Sequence, residues 1–114
     1  MSGFHLIPSE GLARMPGPFG DHYDVLLRHG TLEVGLYAPK LTDPQTPHAR
    51  DELYVVISGH GYFRNGRDRH PFAPGDVFFV PAQVEHRFEE FSEDLATWVI
   101  FFGPEGGEAT SGQG

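Results

Sequence analysis

Between His22 and Phe102 the chain is a succession of short β-rich runs, each cut off by turn formers before a helical period can establish itself. HYDVLLRHGTLEVGLYA reads as two strands around a polar turn at Arg28, His29 and Gly30, and ELYVVISG as a third. YFRNGRDR carries a hairpin at Asn65-Gly66, a pair suited to tight turns because both residues tolerate positive φ. FAPGD is another tight turn, with Gly75 free to take positive φ, and VFFVPA, EHRFEEF and LATWVIFF are further strands. Strands at short, regular spacing with turn signals between them predict an all-β domain closed as a sandwich or barrel. The usage of Gly (15) and Pro (10) agrees, and no repeat of solenoid length interrupts the pattern.

At 114 residues the chain is long enough for one hydrophobic core and not for two. Residues 1–20, broken by Pro8, Pro16 and Pro18, read as an irregular arm with one short strand at FHLIP. Residues 21–103 form the barrel domain, and 104–114, Gly-rich and polar, read as a disordered tail. The formal charge of −8 argues against nucleic acid as a partner, since phosphate neutralisation needs Lys and Arg. No apolar run approaches the ~20 residues that span a bilayer, so no membrane partner is expected. The first residues lack the pattern of a secretory signal, which makes cytoplasmic the expected location. The chain has no cysteine, so any metal must be held by nitrogen and oxygen. VFFV and WVIFF carry more apolar surface than one small barrel hides, and a homodimer through a sheet face would cover it.

Two stretches have informative alternation. Leu32, Val34 and Leu36 alternate with Thr31, Glu33 and Gly35, which marks a sheet with one wet face. In TPHARDELYVVISGHG, Glu52 shares a strand face with Tyr54, Val56 and Ser58, where a carboxylate is costly to bury without a partner. His48 can join that face if the chain is extended or a turn bridges the gap. His86 opens another strand, in phase with Phe88 and Glu90. Two imidazoles and a carboxylate from separate strands suit a divalent metal, provided that they converge.

On these segments the chain resembles the cupin superfamily. The first family segment, His-x-His, a short gap, Glu, then six residues to Gly, falls on Thr46, His48, Glu52 and Gly59. The second, Gly, five residues, Pro-x-Gly, two residues, His, three residues, Asn, falls on Gly75, Pro81, Gln83, His86 and Glu90. The resemblance, over roughly residues 30 to 102, implies a double-stranded β-helix or jelly-roll barrel with a metal in its mouth. Thr46, Gln83 and Glu90 depart from the pattern, and the first departure removes one of the family's usual ligands. His48, Glu52 and His86 remain, a set resembling the sites of non-haem iron and catalytic zinc enzymes and open to Fe, Mn, Ni or Zn. Gln45 or Thr46 could add a weak fourth oxygen.

For function, the resemblance implies a metal-binding cupin acting on a small organic molecule, by oxygenase- or isomerase-like chemistry. The alternative is a non-catalytic module that binds or senses such a molecule, with metal structural or absent. Tyr54 is the candidate for a substrate-facing hydroxyl. Ala49, Arg50 and Asp51 are expected to turn outside the barrel, unless Arg50 folds over the mouth to attract an anionic substrate.

Overall fold

The structure, a computed structural model, describes residues 3–17 and 21–109. Strands β1 (Tyr23–His29), β2 (Leu32–Tyr37), β3 (Asp51–Ser58), β6 (Val77–Val80) and β8 (Ala96–Phe102) form a five-stranded sheet in the order β1-β2-β8-β3-β6. Strands β4 (Gly61–Asn65), β5 (Asp68–Phe72) and β7 (His86–Glu89) form a second sheet, in the order β5-β4-β7. All pairings are antiparallel, and the core between the sheets draws on both, with Tyr54, Val56, Val80, Val99 and Phe101 meeting Phe63, Phe72 and Phe88. The protein is an all-β jelly-roll barrel.

Glu52, Tyr54 and Val56 are buried while Leu53, Val55 and Ile57 are only partly covered, as the period-2 reading of β3 expects. In β2 the alternation is present with its sides exchanged. Glu33, Gly35 and Tyr37 lie opposite Phe101, Val99 and Thr97 of β8, on the barrel's inner face. Leu36 faces outward and is nonetheless fully buried. Its cover is helix α1 (Pro8–Leu12), whose Gly11 sits so close that a Cβ there would come within 2.9 Å of the Leu36 side chain.

That helix corrects the expected strand at FHLIP. Pro8 stands in its first turn, where the missing N–H removes no hydrogen bond. Residues 1, 2 and 18–20 of the arm, Pro18 among them, lie outside the described residues. The two hairpin turns sit one residue later than expected, at Gly30-Thr31 and Gly66-Arg67. Each opens on a glycine at positive φ (59° and 63°), while Asn65 ends β4 and donates to the Phe79 carbonyl.

The tail differs from expectation as far as it is described. Gly106 N donates to the Ala49 carbonyl and Glu108 N to Asp51 Oδ2, so residues 104–109 dock on the chain entering β3. The acceptor is Asp51, buried instead of turning outside, and its other oxygen takes the N–H of Ala82. Residues 110–114 lie outside the described residues. On the outer face of the large sheet, Val77 and Phe79 of edge strand β6 are 59% and 50% exposed.

Candidate metal centre

Glu52 comes from β3, His86 from the start of β7, and His48 from the loop that runs into β3. The three meet, their ligand atoms all within 4.8 Å of one another. Glu52 Oε1 lies 3.2 Å from His86 Nε2 and 3.9 Å from His48 Nε2. Glu52 and His86 are each 1% exposed, while the His48 side chain keeps about a third of its surface. Each residue is held by its own local rule. Glu52 points inward by strand alternation, opposite Phe101 on one side and Val80 on the other. His86 directs Nδ1 to the Val84 carbonyl at 2.9 Å, which fixes the ring and turns Nε2 toward Glu52. His48 is placed through its backbone, where Gln83 N donates to its carbonyl at 2.7 Å.

Gln83 takes φ 68° to do this, at the position where the family pattern has Gly. Thr46 is exposed, whereas its half-buried neighbour Gln45 reaches the two imidazoles. Gln45 Oε1 lies 3.2 Å from His48 Nε2 and 3.2 Å from His86 Nε2, and accepts from the Tyr54 hydroxyl at 2.6 Å. Gln45 Nε2 donates to Asp43 Oδ2 at 2.7 Å. Asp43, buried, also accepts from Phe88 N and from the Tyr37 hydroxyl. Asp43 is the residue that sequence reasoning missed. Its one sequence signal was a carboxylate two positions before Gln45 in a loop with little other acidity.

The electrostatics are those of too many acceptors. Neither oxygen of Glu52 has a hydrogen-bond partner among the described residues, a costly condition for a buried carboxylate. Burial pulls the His86 pKa down, but the Glu52 carboxylate and the Val84 carbonyl outweigh it and leave the value raised. For His48 burial prevails, aided by the nearby His86 against the pull of Glu52, and the pKa is lowered. Tyr54 is raised well above the ordinary phenol range by burial and then by Glu52, so it keeps its proton.

The arrangement fits a divalent cation. With bonds of about 2.1 Å, neighbouring ligands of a four- to six-coordinate ion stand about 3.0–3.4 Å apart. The 3.2 Å between Glu52 and His86 lies in that range, and the 3.9 Å between Glu52 and His48 is somewhat wider. The donors, imidazole nitrogen and carboxylate oxygen, suit Fe, Mn, Ni or Zn. An ion would also supply the charge that the Glu52 oxygens lack.

Beside this cluster lies a cavity of about 200 Å³, lined by Tyr23, Tyr37, Tyr54, Val99 and Phe101 as well as by Gln45, His48 and Glu52. Its Tyr23 wall lies over β2 at Gly35, where a Cβ would meet the ring at 2.6 Å. A second, outer hollow of about 190 Å³ shares His48 and Phe101 and adds Glu33, Arg50 and Glu105. Arg50 does fold over this mouth, its guanidinium 5.6 Å from the Phe101 ring centre and bonded to the Thr31 carbonyl. Glu33 lies beside it, 3.9 Å away.

Among the described residues no helix is long and apolar enough to cross a membrane. An uncharacterised protein of Streptomyces coelicolor, SCO3923, is 45% identical over 85 residues, covering 73% of this chain and 81% of the relative. The plu4264 protein of Photorhabdus luminescens superposes with a TM-score of 0.62 at 20% identity, over 71% of this chain and 73% of that one. A chain from the crystal structures of the DMSP lyases RdDddP and RnDddQII superposes with a TM-score of 0.60 at 26% identity, over 73% of this chain and 47% of that one. The family model of the cupin domain matches residues 33–102. With two sheets closed on a His/Glu/His cluster and that match over most of the barrel, the chain belongs to the cupin domain family.

Proposed function

We propose that the protein is a metal-dependent cupin that acts on a small organic molecule, with a divalent ion held by His48, Glu52 and His86. The observation that carries this reading is Glu52: both carboxylate oxygens are buried without a hydrogen-bond partner among the described residues, facing imidazole nitrogens. An ion held there would polarise a substrate oxygen as a Lewis acid. The chain's own residues do the rest. Tyr23, Tyr37, Val99 and Phe101 give the cavity apolar walls that exclude water from a compact substrate. His48, the partly exposed member of the set, faces both hollows and marks the side of approach.

The test is elemental analysis of protein prepared without chelator or affinity metal. We expect close to one transition-metal ion per chain, lost in His86→Ala. Metal-free protein that takes up none of the four ions, or metal content unchanged in His86→Ala, would overturn the assignment.

A second reading, a binding or sensing module without catalysis, is favoured by one feature. The Tyr54 hydroxyl, the candidate catalytic group, is committed to Gln45 and keeps its proton, so the cavity offers little acid–base chemistry beyond the ligands themselves. Saturable binding of a small molecule by metal-loaded protein, with no product formed from it, would select this reading. In either case we propose a homodimer that covers Val77 and Phe79 of β6, and a monomer at micromolar concentration in gel filtration would exclude it.

A further inference from the structure

We infer that Gln45 is the fourth ligand of the centre, its side-chain oxygen filling the place that Thr46 leaves open, and that Asp43 is the positioning residue that aims it. The inference rests on the metal-dependent reading above and goes beyond it by naming a protein ligand outside the His48, Glu52 and His86 set.

An amide carries an acceptor at one end and donors at the other, so its usefulness as a ligand depends on which end faces the site. For Gln45 the outer partner decides. Asp43 Oδ2 accepts from Gln45 at 2.7 Å and from Phe88 N at 2.8 Å, and Asp43 Oδ1 accepts from the Tyr37 hydroxyl. Asp43 Oδ2, already the acceptor of the Phe88 N–H, presents an acceptor to Gln45. Turning the amide over would set its oxygen against that carboxylate. The Gln45 oxygen is therefore directed inward, to within 3.2 Å of both imidazole Nε2 atoms.

An amide oxygen has two lone pairs. The Tyr54 hydroxyl takes one, and the other is left for the space beside His48 and His86, whose Nε2 atoms also lie 3.9 and 3.2 Å from Glu52 Oε1. Because His86 Nδ1 bonds the Val84 carbonyl, a neutral His86 ring also presents a lone pair there from Nε2. Acceptors from three chain segments thus surround one point. The bond from Gln45 to Asp43 plays the part that a carboxylate plays behind a ligating histidine, fixing orientation and strengthening the donor atom. Gln45 is neutral, so a dication on this set keeps more positive charge than it would beside a second carboxylate.

Cobalt(II) is the probe, because its visible absorption reports the ligand set as well as its affinity. Metal-free wild type, Gln45→Leu, Gln45→Glu, Asp43→Asn and His86→Ala are titrated by calorimetry and by absorption. We expect Gln45→Leu to weaken binding by about tenfold or more with a changed spectrum. Gln45→Glu keeps an oxygen for the ion but sets its second oxygen against Asp43, so it should bind more tightly than Gln45→Leu without exceeding wild type, also with an altered spectrum. Asp43→Asn should show a smaller loss. Wild-type affinity and spectrum in Gln45→Leu would overturn this inference and leave the other ligands standing. Wild type that binds no cobalt, or binding that survives His86→Ala, would overturn the proposed function and this inference with it. If Gln45→Leu does not fold, because the Tyr54 hydroxyl loses its acceptor, Gln45→Glu carries the test alone. A spectrum identical to wild type would then count against ligation, and a changed one for it.

Discussion

The two halves of the centre are built by different means. Glu52 and His86 stand on β3 and β7, where alternation and register decide which way a side chain points. Asp43, Gln45 and His48 stand on the loop before β3, where no period applies and each position is held by a bond from a distant part of the chain. Phe88 N holds Asp43 from 45 residues away, and Gln83 N holds the His48 carbonyl. The strand half is sealed from solvent, and the loop half is open at His48. A site can thus take precision from its sheet and access from its loop, at the cost of many supporting bonds on the loop side.

Breaking the strand half should have the largest effect. His86→Ala is expected to cost at least about a hundredfold in metal affinity and His48→Ala about tenfold, both read by competition with a chelating dye. Equal losses would erase the distinction between a sealed and an open ligand. Next comes the loop's anchor. Asp43→Ala leaves Phe88 N, the Tyr37 hydroxyl and Gln45 Nε2 without their acceptor, and should lower stability by about 3 kcal/mol in denaturant titrations of metal-free protein. A change under ~1 kcal/mol would mean that the loop is not held from Asp43.

Glu52→Gln should separate stability from function on the strand side. The close ion-pair partner of Glu52 is His86. At a pH above the raised His86 pKa, where that ring is neutral, the substitution removes an uncompensated buried charge, and the metal-free variant should be more stable by about 1–2 kcal/mol while losing its metal. A less stable variant would show that the carboxylate is satisfied by something else.

The two imidazoles should also respond to pH in opposite directions. The His86 pKa is raised on folding, so its contribution to metal-free stability is fully present below the ordinary imidazole value of ~6.5 and is lost as pH rises through the folded value. The His48 pKa is lowered on folding, so stability is lost as pH falls below ~6.5 toward its folded value. Metal-free His48→Ala should therefore show only the first trend, melting at lower temperature as pH rises through neutrality. A melting temperature that fell with acid between about pH 7.5 and 5.5 in that variant, above the range in which Glu89 takes up its proton, would contradict the assignment. The smallest effect belongs to Gln83→Gly, which relieves a left-handed φ of 68° at the hinge under His48. The gain should be at most about 1 kcal/mol, because glycine also frees the unfolded chain.

The same contrast explains what could be read from the sequence. The barrel, its strands and the inward phase of Glu52 follow from alternation and turn residues, which are local properties. His86 followed from its place within the second family segment, as that segment's histidine. Asp43 did not, since nothing near it in sequence says that Phe88 will supply an N–H. Neither did the way β2 faces. Its Leu36 points outward under the roof of α1, while Glu33, Gly35 and Tyr37 are turned toward the hollow interior. A β-strand that lines a cavity inverts the usual rule that the greasy side faces in, and only the position of a five-residue helix reveals it.

Gly35 has a bearing on selectivity through what it lacks. The Tyr23 ring leans across it into the volume that any other residue would occupy. One methyl group at this position would displace that ring and reshape the chamber, on a strand that supplies none of His48, Glu52 and His86. Relatives carrying alanine or serine here would therefore be expected to accept differently sized guests with an unchanged set of ligands, so that one backbone position acts as the gauge of the barrel.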